Sequence, residues 1–100
     1  MESRREAGLP DCIVVVLPGP DGARAVRVVE PWLRLALRAS KAEVDGTLLG
    51  RDEAEVWVYP QDTTAVAATI RRMLRLVPLP AGSHLRIKAG DDVAVVSLRR

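Results

Sequence analysis

Phenylalanine is absent from this 100-residue sequence, and its aromatic residues are Trp32, Trp57 and Tyr59 alone. With so little ring volume, the core has to be built from Val, Leu, Ile and Ala. Cysteine and histidine are equally scarce, with one Cys12 and one His84. A single thiol excludes an internal disulfide, and one Cys with one His cannot assemble a Cys/His zinc site. The apolar run CIVVVL, residues 12–17, is far shorter than the roughly 20 residues that span a bilayer. MESRREAGLPD carries basic residues but no apolar stretch behind them, so no secretory signal is read. These absences point to a reducing, cytoplasmic setting without a membrane.

A large excess of charge of either sign is also missing. Fifteen basic and thirteen acidic groups leave a formal net charge of +2. That excess is too small to capture nucleic acid unless the cations cluster. Apolar residues at 48% and charged residues at 28% describe a globular chain. Its length is enough to bury roughly 60–70% of the unfolded surface. A flexible tail over 1–10 and a single domain over 11–100 are expected.

Turn-forming clusters divide that domain. CIVVVL is unbroken, largely β-branched and framed by Pro10 and by PGPDG at 18–22, the pattern of a central strand buried on both faces. Strands at 43–49 and 55–59 flank the turn-like Gly50-Arg51-Asp52-Glu53 and form a hairpin, with Asp45-Gly46 bending its first arm. HLRIKA at 84–89 alternates, and Gly90-Asp91-Asp92 turns the chain into a closing strand at 93–98.

Two helices fit between these strands. Proline suits the first turn of a helix and disrupts its interior, so the first is expected from Pro31 to Ser40, with ARAVRVV before it extended rather than helical. Trp32, Leu33, Leu35, Ala36 and Leu37 would supply its buried side. The second begins near Thr64 behind the capping oxygens of Asp62-Thr63-Thr64. Val66, Ile70, Met73, Leu74 and Val77 recur on its inner face and Arg71, Arg72 and Arg75 on its outer one.

The order strand, helix, strand, strand, helix, strand, strand is that of an α+β ferredoxin-like βαββαβ sandwich with an additional C-terminal strand. Both helices then lie on one face of a mainly antiparallel sheet. The helices need apolar residues beneath them, so Val56 and Val58 face inward. Glu55, Trp57 and Tyr59 then point to the opposite, open face, joined by His84, Arg86 and Lys88 from a neighbouring strand. The bland alternative packs the rings beneath the terminal hairpin.

Rings beside cations can stack bases and neutralise phosphates. The open face is similar in this respect to an RNA-recognition motif domain, whose third strand carries exposed aromatics at the same spacing. AEVWVYP lacks that family's Gly-aromatic consensus, CIVVVL has no aromatic, and Glu55 would repel phosphate. An apolar face with aromatics and Arg equally suits a protein contact.

No catalytic constellation stands out, so no enzyme is read. Asp52, Glu53 and Glu55 near the hairpin, and Asp91 and Asp92 in the later turn, are read as solvated acids rather than a converging cation site. Cys12 begins a buried strand, where a thiol is apolar filler. PGPDGA lacks the GxxxxGK[ST] phosphate loop and its lysine, so it is a turn. No cofactor or metal is called for.

VDGTLLGRDEAEVWVYPQD followed by a helix and VPLPAGSHLRIKAG resembles a group of small, uncharacterised actinobacterial proteins. The matching positions, within 43–90, are Val44, Asp45, Gly46, Gly50, Trp57, Tyr59, Asp62, Pro78, Pro80, Gly82, Ser83 and Arg86. The resemblance implies the α+β fold and attaches no reaction or ligand. The expectation is a non-catalytic interaction module, a homodimer or a small accessory or immunity-type protein. Single-stranded nucleic acid is the alternative partner, and a small-ligand regulatory role comes third.

Overall fold

The first strand, β1 (Cys12–Pro18), organises the molecule because both of its faces are apolar. The computed structural model describes residues 10–98, so the expected tail over 1–10 lies outside the described residues except for Pro10. Ile13, Val15 and Leu17 are buried on one side of β1, and Cys12, Val14 and Val16 on the other.

Helix α1 follows as Gly22–Ala36, with Pro31 inside it, and a 3-10 turn at Arg38–Ser40 closes the segment. The expected start at Pro31 and the extended arm before it are therefore corrected. The inner positions explain the outcome: Val26, Val29 and Leu33 sit on one stripe, continued by Leu37, and all four are buried. Each such burial contributes about 1.5–3 kcal/mol. Together they exceed the ~3 kcal/mol that an internal proline costs. Leu35, expected inward, is 59% exposed, because the true stripe passes through Leu33 and Leu37.

The hairpin β2 (Glu43–Leu49) and β3 (Glu53–Tyr59) comes next. Its register shifts between Val44 and Gly46, so Asp45 is the extra residue of a bulge. Gly46 accommodates it with φ of 154°, a conformation that a side chain would strain. Helix α2 (Thr63–Leu74) starts at Asp62, whose side chain accepts from the Ala65 amide at 3.0 Å. The second hairpin, β4 (His84–Ala89) and β5 (Asp92–Ser97), completes the chain.

The sheet order is β2-β3-β1-β4-β5, with every neighbouring pair antiparallel. This is the ferredoxin-like arrangement extended by one strand, and both helices pack on one face. There Val56 and Val58 join Ile13, Val15 and Leu17 beneath Val29, Leu33, Val66 and Ile70. Trp32 lies between the helices and donates from Nε1 to the Met73 carbonyl at 3.3 Å. The terminal hairpin joins the sheet beside β1, with β5 as the edge, rather than folding over the rings, so the opposite face stays open.

Candidate functional site

Strand parity places six side chains on the open face: Glu55, Trp57 and Tyr59 from β3 and His84, Arg86 and Lys88 from β4. The registers make this placement specific. Val14 of β1 is paired with Trp57 on one side and Arg86 on the other, and Val16 with Glu55 and His84. Between these rows Cys12, Val14 and Val16 form a second small core, against which Trp57 and Tyr59 pack. Val14 and Val16 are almost inaccessible, at 2% and 1% exposure, although helices cover only the other face.

A polar bridge closes over that strip. Trp57 donates from Nε1 to Glu55 Oε1 at 3.0 Å, and Glu55 Oε2 meets Arg86 Nη2 at 3.6 Å. The indole, carboxylate and guanidinium thus link β3 to β4 across β1. A hydrogen bond shared with Glu55 also holds the Glu53 carboxyl above its ordinary range.

Lys88 and His84 are anchored at the ends of the same strand. Lys88 donates to the Gly90 carbonyl at 2.8 Å. His84 Nδ1 lies 2.9 Å from the Gly82 carbonyl, which can only accept, so that nitrogen carries the proton. Burial pushes the Cys12 thiol up, opposed by Lys88 and Arg86 nearby. Desolvation likewise raises the Tyr59 phenol, with Asp45 adding to it.

The rings stand as a ridge between two grooves. One, of about 340 Å³, is lined by Cys12, Val14, Arg86 and Val93, and the other, of about 420 Å³, by Asp45, Gly46, Thr47 and Leu48. A larger concavity of about 800 Å³ lies where the end of α2 meets β5 and brings Arg71 and Arg75 to Leu79 and Leu98. It contains none of the six residues nominated from sequence.

Val93 and Val95 of β5 extend the open face and were missed by sequence reading. They pair with Lys88 and Arg86 and are 64% and 66% exposed. Their alternation in VAVVS, set against HLRIKA across a tight turn, carried the signal.

The positions of the Val-Asp-Gly and Pro-x-Pro-x-Gly-Ser segments have local structural work. Asp45 and Gly46 form the bulge, the Gly50 amide donates to the Glu53 carbonyl at 2.7 Å in the hairpin, and Asp62 caps α2. Ser83 is buried and donates from Oγ to the Pro80 carbonyl at 2.6 Å, while its backbone carbonyl accepts from the Leu98 amide at 3.0 Å.

Among the described residues no group of three or more His, Cys, Asp or Glu side chains is placed to hold a metal ion. No helix among them is long and apolar enough to cross a membrane. Comparison of the chain with protein-family models, with curated proteins and with solved structures finds no match in any of the three.

Proposed function

We propose that this protein works without catalysis, by docking another protein chain on the open face of its sheet. The observation that carries this reading is the continuity of the face. A buried apolar strip on β1 lies under a ridge of Trp57 and Tyr59 and runs out to the exposed Val93 and Val95, with charges between. Exposed valines beside half-buried aromatics and an arginine suit the centre and rim of a protein interface. A small accessory or immunity-type role, or self-association, would use the face in this way.

Single-stranded nucleic acid is the second reading, favoured by two rings beside Arg86 and Lys88 on one groove. Glu55 counts against it, because the carboxylate already engages both the indole and the guanidinium that bases and phosphates would need.

A photo-crosslinking side chain at Val95 tests the proposal in cells, with Ala68 on the exposed side of α2 as the control. Protein docking expects a discrete protein adduct from position 95 and none from 68. A nucleic-acid adduct, or no adduct at position 95, would overturn it.

A further inference from the structure

We infer that the occupant of the open face is a second copy of this chain, related by a two-fold axis running roughly along β1. This rests on the protein-docking reading and names the partner. β1 is the central strand, with β3 and β2 on one side and β4 and β5 on the other. The two sides differ chemically: β3 presents Glu55, Trp57 and Tyr59, whereas β4 presents His84, Arg86 and Lys88.

An axis lying between two such faces and along β1 exchanges the sides while preserving height along the strand. Each residue of β4 therefore meets the β3 residue at its own level. Arg86 and Trp57 share the level of Val14, so Arg86 lies over the partner's Trp57, a cation over an indole face. His84 and Glu55 share the level of Val16, so the imidazole meets the partner's Glu55. An axis across the strands would instead set each strand against itself, and β4, which carries Arg86 and Lys88, would then oppose its own cations.

The outer strands fit the same operation. Val95 is level with Arg86, and Gly46 is level with Trp57. The exposed Val95 side chain therefore meets the one position of β2 without a side chain, in the groove beside the ring ridge. Both contacts occur twice, as an isologous interface requires.

The size is adequate for a reversible dimer. Strands about 4.8 Å apart, with about 3.3 Å per residue, give each five-stranded face roughly 24 by 20 Å. Two faces together bury on the order of 1,000 Å², the lower end of specific interfaces. The sheets would pack ~10 Å apart with strand directions within about 30°, as in aligned sandwiches.

Sedimentation equilibrium of the full chain across the micromolar range tests the inference, and a mass of twice 10.9 kDa is expected at the upper end. Val95→Glu, at an exposed site on which folding does not depend, should weaken the dimer at least about tenfold. His84→Glu should weaken it similarly, because a second carboxylate then faces the partner's Glu55 across the axis. Adding Glu55→Arg to His84→Glu, in the double variant E55R/H84E, should recover the dimer, since the two introduced charges then oppose one another. A wild-type chain that stays monomeric overturns the second-copy inference, while a heterologous adduct at position 95 would still uphold the docking reading. A double variant with native circular dichroism that stays monomeric overturns the axis.

Discussion

Glu55 and Arg86 stand on strands that are not neighbours, and their 3.6 Å ion pair passes over the central strand between them. With the two rings, this bridge encloses Cys12, Val14 and Val16 on a face that no helix covers. The enclosure can be read through the thiol. Tyr59→Ala should raise the labelling rate of Cys12 by a neutral disulfide reagent at least about tenfold, because thiol access and thiolate fraction both increase. An unchanged rate in a folded variant would mean that the ring does not shield the strip.

The carboxylate of Glu30 joins α1 to the edge strand. It accepts from Thr47 Oγ1 at 2.7 Å and takes two bonds from Arg34, at 3.0 and 2.8 Å. The Thr47 hydrogen bond first, and Arg34 second, lower its pKa. A carboxyl whose folded pKa lies below the unfolded value contributes stability that is fully present above the unfolded value and is lost as pH falls through the folded one. Glu30→Gln should therefore cost about 0.5–1 kcal/mol in urea unfolding at neutral pH. The difference from wild type should disappear once Glu30 is protonated.

Pro31 sits inside α1 on its exposed side, where it withholds one intrahelical hydrogen bond from the Arg27 carbonyl. Pro31→Ala should stabilise the protein by about 1–3 kcal/mol, a gain reduced by the greater freedom of the unfolded chain. Were 24–29 an extended arm, the substitution would be neutral or harmful, so a thermal melt distinguishes the two conformations.

Strand positions were legible because turn residues punctuate them, and the inward Val56 and Val58 followed from period-two alternation beneath the helices. The start of α1 was misread because a local rule about proline was set against no count of Val26, Val29, Leu33 and Leu37, whose spacing already described one buried stripe. The six face residues could be placed by parity alone. The Glu55–Arg86 bridge could not, because it depends on which strand lies between β3 and β4 and on the register of both pairings. The outward Val93 and Val95 needed the same knowledge, since a covering hairpin and an added edge strand have the same sequence pattern.

Gly22 opens α1 against the end of β1. A Cβ at this position would collide with the Leu17 carbonyl oxygen and press on the Ala54 amide. Both are backbone groups, so nothing flexible can move aside. Gly22→Ala should cost at least about 2–3 kcal/mol, whereas Gly90→Ala, with no atom near its Cβ position, should be milder despite its positive φ. Chemical denaturation of the two variants provides the comparison.

The central position of β1 also sets the order in which the chain can fold. Ile13 pairs with Val58 and Ile87, partners 45 and 74 residues further along. The stickiest segment is thus made before both of its neighbours and must wait for them, while the β2–β3 and β4–β5 hairpins can close locally. Topology of this kind slows folding and leaves an aggregation-prone strand exposed in the interim. The same valines that hold the finished sheet together are the part of the nascent chain most exposed to misassociation.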